Sequence, residues 1–120
     1  MNPSFNMSPD EALRGLEEKN RQLTMKNDEY TPLTERYAAA KRDYRIARAK
    51  KMMEIKMAGT SITLIPNLAN GDGIVADLRY KMDVAEGVVK ANVESMKDIR
   101  SAIDSYRSIL TWLREEKTRG

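Results

Sequence analysis

The sequence contains neither cysteine nor histidine. The first absence rules out disulfides and thiolate metal sites and fits an intracellular compartment. The second removes the commonest general base and the commonest transition-metal ligand together. Aromatic residues are scarce, at 6%: Phe5, Trp112 and five tyrosines. No apolar run approaches the ~20 residues that a membrane-spanning helix needs, so no membrane partner is expected. The stretch Met1-Asn2-Pro3-Ser4-Phe5-Asn6 has no basic region followed by an apolar core, and a secretory signal is not expected there.

What remains is a chain of 120 residues, 41% hydrophobic and 32% charged, which suits one folded domain rather than a disordered tail. Eight methionines and many alanines stand in for bulky packing residues. Such a composition suits long helices packed along a seam. A lone two-helix hairpin has little interior and is marginal by itself, so self-association is expected on size grounds.

Residues 1–7 read as a flexible lead-in. Ser8-Pro9-Asp10-Glu11 then spells a helix start: Ser8 as cap, Pro9 at the first helical position, acids at the positive end of the dipole, and Glu11 completing a capping box. Leu16, Leu23, Tyr30, Tyr37 and Tyr44 follow seven apart, joined by Leu33, Ala40 and Ala47, while Lys19 and Lys26 interrupt the N-terminal half of this seam. Thr31-Pro32 predicts a kink or break, leaving residues 8–30 as a helical arm before a main helix over 32–58. Gly59 is placed to end that helix in a left-handed conformation. The β-branched alternation of Thr60-Ser61-Ile62-Thr63-Leu64-Ile65-Pro66 predicts an extended connection, and Asn70-Gly71-Asp72-Gly73 a turn that caps the next helix. Ile62, Leu64, Ile65 and Leu68 are too apolar for a solvated loop; they must fold back or meet a partner.

The C-terminal helix, expected over 74–117, carries the clearest pattern. Val75, Leu78, Met82, Ala85, Val89, Asn92, Met96, Ile99, Ile103, Tyr106, Leu110 and Leu113 keep alternating spacings of three and four, and eleven of the twelve are apolar or aromatic. Val88, Ala102 and Ile109 widen the stripe, and Trp112 lies off it, so this helix wants neighbours on more than one side. The helix from 32–58 supplies one of them. The stretch Val89, Asn92, Met96, Ile99, Ile103, Tyr106, Leu110 and Leu113 is assigned to an oligomer seam, in a homodimer or tetramer. Asn92, its single polar member, either fixes register or marks a wet point of the bundle. The fold class is all-α: an antiparallel hairpin of two long coiled-coil-like helices with a kinked N-terminal arm, assembling into a helical bundle.

No catalytic residues are expected. The pairs Glu17/Glu18, Asp28/Glu29 and Glu115/Glu116 are adjacent on helices and cannot converge, so they read as solvated surface. The Asn70–Gly73 turn lacks the ligand series of a calcium loop and the lysine of a phosphate loop. No metal or cofactor is expected. Residues 41–56 hold Lys41, Arg42, Arg45, Arg48, Lys50, Lys51 and Lys56 against Asp43 and Glu54, a local net charge of +5. Lys41, Arg45, Arg48 and Lys56 share one helical sector beside Tyr37, Tyr44 and Ile55. They either pair with acids of another helix, such as Glu94, Asp98 or Asp104, or bind nucleic acid or an acidic protein. Met52-Met53-Met57 reads as core filler at a helix end, with an adaptable binding surface as the alternative. Trp112, Ile62 and Leu64 are the candidates for a partner surface.

The run from Ala39 to Lys50, the Ile62-Thr63-Leu64-Ile65 connection, Ala85, and Ser108-Ile109-Leu110-Thr111-Trp112-Leu113-Arg114-Glu115 resemble small helical proteins of temperate bacteriophages of Gram-positive bacteria, encoded among early replication and recombination genes. The resemblance covers roughly residues 37–116 and leaves out the arm at 9–30. It implies a cytoplasmic factor of a bacterial host cell that acts by binding, inhibiting or recruiting a host or phage nuclease, defence or replication protein. It brings no functional residues with it. The alternative is a nucleic-acid-binding accessory of phage recombination that uses the basic face. An acidic DNA mimic is not expected, because such mimics need strong negative charge and this chain carries +3.

Overall fold

In the computed structural model, residues 6–119 are described, and among them there is no strand. Of the lead-in expected over residues 1–7, residues 1–5, Phe5 included, lie outside them. Helix α1 spans Pro9–Met57, α2 spans Ile65–Gly71 and α3 spans Gly73–Arg119, with a single 3-10 turn at Ile62–Leu64 before α2.

The ends of these helices are set by side chains and glycine where the sequence places them. Ser8 Oγ accepts from the Glu11 amide at 3.1 Å, satisfying one of the first-turn donors of α1. At the other end Gly59 takes φ 85°. Its amide donates to the Lys56 carbonyl at 3.0 Å and the Thr60 amide to that of Ile55 at 3.4 Å, the paired bonds of a Schellman ending. Asp72 caps α3: Oδ2 accepts from the amides of Ile74 at 3.2 Å and Val75 at 3.1 Å.

Two expectations need correction. Helix α1 does not restart at Pro32; it runs through the proline for 49 residues, so 8–30 is no separate helix. The proline removes one donor, but apolar heptad positions continue on both sides, and Thr34 Oγ1 donates to the Thr31 carbonyl at 2.8 Å. Nor is the connection extended. Residues 62–71 are helical because Ile65 and Ala69, four apart, both turn inward and are buried, while Pro66 suits a first turn. Burial of that pair outweighs the local β-preference.

The chain forms two compact units. One joins residues 6–30 with 92–119, and the other comprises 31–91. Within each, α1 and α3 run antiparallel. In the first unit Tyr106 lies against Gly15 and Asn92 against Lys26. In the second, Tyr37 meets Glu86 and Tyr44 meets Arg79. The first unit buries Ala12, Met96, Ile99 and Ile103, and the second buries Ile65, Ala69 and Val75. All twelve seam positions of α3 are at least half-covered, from Val75 to Leu113. The core is thin: Val75 is the one large side chain with essentially no exposure among the described residues. Gly87, in the interior of α3, weakens the helix by ~1 kcal/mol relative to alanine.

Candidate interaction surfaces

The four residues of the basic sector all lie on α1 in the second unit, but their surroundings differ. Arg48 Nε donates to Asn70 Oδ1 at 2.9 Å and so helps to hold α2. Lys41 Nζ stands 5.8 Å from the centre of the Tyr37 ring, a cation–π contact. Arg45 and Lys56 are exposed, and no ion pair joins them to a carboxylate among the described residues. The expected pairing with acids of the other helix is not made. Glu94 pairs with Lys97 at 3.1 Å and Asp104 with Arg107 at 4.0 Å, each on its own helix.

A polar ladder between α1 and α3 runs beside this sector. The Tyr37 hydroxyl donates to Glu86 Oε2 at 3.1 Å, and this bond raises the tyrosine pKa by favouring its protonated form. Glu86 is held below the usual carboxylate range by Lys90 first and then by Tyr37. Arg79 donates to the Tyr44 hydroxyl at 3.3 Å and lies over its ring. At the turn, Lys51 reaches Glu54 at 3.4 Å and Asp72 at 3.5 Å. The Asp72 pKa is lowered chiefly by the Val75 amide, with Lys51 adding to it.

The turn end of the second unit also holds an apolar cleft. Met52, Met53, Lys56, Ile62, Ile65 and Pro66 line a cleft of about 300 Å³. Of its lining, Met53 and Ile62 stay exposed, Ile62 at 78%; Met57, at 85%, and Leu64 are exposed too, and exposed Leu68 lines a separate cleft with Lys51, Ile55, Ala58 and Thr60. Met53 and Met57 are therefore not core filler; only Met52 is partly covered. Part of the connection folds back, through Ile65 and Ala69, and part does not, through Ile62, Leu64 and Leu68.

No family model, curated protein or solved structure matches the chain.

The residues assigned to an oligomer seam are occupied within one chain. Met96, Ile99 and Ile103 are buried, and Val89, Tyr106, Leu110 and Leu113 are partly covered. A heptad row needs a partner, and α1 of the same chain covers part of this one. Asn92 sits in this seam at 4% exposure. Its Nδ2 donates to the Lys26 carbonyl at 3.3 Å, while Oδ1 has no partner. Trp112 is 39% exposed and lines an open groove with Glu115, Glu116 and Arg119.

The carboxylate pairs stay on charged faces: Glu18 holds Arg21, and Glu29 pairs with Lys26 at 3.5 Å. Among the described residues no three acids gather as a metal site would require. Nor, among the described residues, is any helix long and apolar enough to cross a membrane. Residue-by-residue reading missed two features, the Gly15–Tyr106 contact and the exposed row on α3 beginning at Tyr80. The second was visible as spacing: Tyr80, Val84 and Val88 recur every four residues.

Proposed function

We propose that the protein is a non-catalytic, self-associating binding protein that presents the apolar turn end of its second unit to a protein partner. The observation that carries this reading is the apolar cleft lined by Met52, Met53, Lys56, Ile62, Ile65 and Pro66, with Met53 and Ile62 left exposed. Exposed apolar surface is characteristic of interaction sites, and methionine side chains adapt to the partner they meet. The resemblance to temperate-phage proteins directs the search to host or phage nucleases, defence systems and replication factors in the bacterial cytoplasm, with inhibition or recruitment as the mode of action.

A second reading has one observation in its favour. Arg45 and Lys56 remain unpaired with acids on a face of local charge +5, as a phosphate-tracking surface requires. On this reading the protein is a nucleic-acid-binding accessory of phage recombination, and Lys41 and Arg48 contribute charge from the flanks.

Size-exclusion chromatography with light scattering, with and without a short DNA duplex or single strand at low salt, separates the two. A clean oligomer that ignores DNA is expected. Capture from a host lysate is then compared for the wild type and an Ile62→Asp/Leu64→Asp variant, which is expected to lose the captured protein. A DNA complex that dissolves as salt rises, and weakens in a Lys41/Arg45/Arg48/Lys56 neutralised variant, overturns the first reading in favour of the second.

A further inference from the structure

Five of the six residues that line the cleft at the turn end are apolar, and the sixth, Lys56, is a cation. Lys56 continues a row. At about 100° per residue, Lys41, Arg45, Met52 and Lys56 fall within an arc of roughly 60° on α1. Asp43 and Glu54, the acids of that stretch, fall on the far side of the helix. The cleft and the basic row thus share one face of α1.

The chain's own acids do not neutralise this face. The second unit, residues 31–91, holds eleven lysines and arginines against seven acids. Six of the seven are engaged elsewhere: Asp43 with Arg42, Glu54 and Asp72 with Lys51, Asp77 with Lys81, Asp83 with Arg79 and Glu86 with Lys90. Glu35 is left, about 15 Å along α1 from Arg45. Arg45 and Lys56, both exposed, accordingly make no ion pair among the described residues.

We propose that the cleft and the basic row are one docking surface for an acidic amphipathic segment of a partner protein. An apolar side chain of the partner enters the cleft, one carboxylate meets Lys56 at its edge, and a second meets Arg45. Arg45 and Lys56 lie about 16 Å apart along α1, which is eleven residues of a helical partner or five of an extended one. Unpaired cations call for an anion, and the cleft selects among anions: a nucleic-acid backbone has no apolar side chain to place in it, and a bilayer surface has no ridge to enter a concave site. The proposal rests on the reading of the turn end as a docking surface and gives its partner a charge.

Fluorescence anisotropy on the full chain tests it, with labelled alanine-rich helical peptides as probes. One carries a leucine, a glutamate beside it and a second glutamate eleven residues on; the other has glutamine at both places. The glutamate probe is expected to bind about tenfold more tightly, as charge-assisted contacts imply. Arg45→Glu/Lys56→Glu is expected to abolish that preference and to favour a lysine version of the probe. Arg100→Glu/Lys117→Glu, the same charge change on exposed positions of the first unit, is expected to leave it intact. Circular dichroism checks that each variant stays helical. Equal binding of the glutamate and glutamine probes, still lost in Ile62→Asp, overturns the acidic partner and leaves the apolar docking reading standing. Absence of binding by either probe also overturns it, while the lysate comparison above decides the apolar reading by itself. Tighter binding of a short DNA duplex or of phosphatidylglycerol vesicles than of the glutamate probe, lost in Arg45→Glu/Lys56→Glu, overturns it in favour of phosphates.

Discussion

The ring of Tyr106 occupies the place where a β-carbon on Gly15 would sit, with Cε1, Cζ and the hydroxyl all against that point. Alanine normally improves a helix by ~1 kcal/mol over glycine. Here the ring must move, and overpacking costs ~1–3 kcal/mol. Gly15→Ala is therefore expected to lower stability by about 1 kcal/mol, measured by chemical denaturation. Tyr106→Val in the same chain is expected to recover part of that loss, and a double-mutant cycle reads the coupling. Strictly additive effects would rule out the contact.

Asn92 leaves Oδ1 unpartnered in a buried seam, and the bond from Nδ2 to Lys26 is long at 3.3 Å. The Lys26 carbonyl lies inside α1 and keeps its helical donor without it. Asn92→Leu replaces a half-satisfied amide by an apolar group of similar size and is expected to stabilise by ~1 kcal/mol. Loss of stability in denaturant would mean that the amide is satisfied in solution, by water or by a shifted rotamer.

Acid should weaken the start of α3. The Asp72 carboxylate has a lowered pKa in the folded chain, chiefly from the Val75 amide. Its contribution is thus present above the unfolded value of ~3.9 and is lost as pH falls through the lower folded value. The thermal midpoint is expected to drop across that window. Asp72→Asn keeps a cap and should flatten this acid dependence, whereas Asp72→Ala loses the cap and is expected to lower the thermal midpoint near neutral pH. An identical acid profile in Asp72→Asn would assign the dependence to other carboxylates.

Pro32 lies inside a continuous helix, where proline removes a donor and crowds the preceding turn. Pro32→Ala should restore a partner for the Asp28 carbonyl and raise stability by ~1–3 kcal/mol, measured as a higher thermal midpoint. No change would mean that the helix is already broken at this point in solution.

The inner seam and the caps were legible because each depends on a few neighbours in sequence. The spacing from Val75 to Leu113 marks twelve positions, and none is exposed. Ser8, Gly59 and Asp72 also act where their chemistry places them. Less legible was whatever depends on the far side of a contact. Pro32 signals a break that packing along α1 overrides. Ile62 to Ile65 alternates like a strand, yet Ile65 and Ala69 find cover only as a helix. The heptad row does not say whether its partner is the same chain or another; within this chain α1 covers part of it. Gly15 becomes notable only once Tyr106, far along the chain, is beside it.

The antiparallel course of α1 and α3 also has a kinetic consequence. Joining Tyr37 to Glu86 closes a loop of 49 residues and joining Lys26 to Asn92 one of 66, while Gly15 and Tyr106 close a longer one still. Shorter loops lose less chain entropy and form sooner. The hairpin is therefore expected to close from its turn toward its termini. On unfolding the order reverses, and amide hydrogens near Gly15 and Tyr106 should exchange before those around Val75.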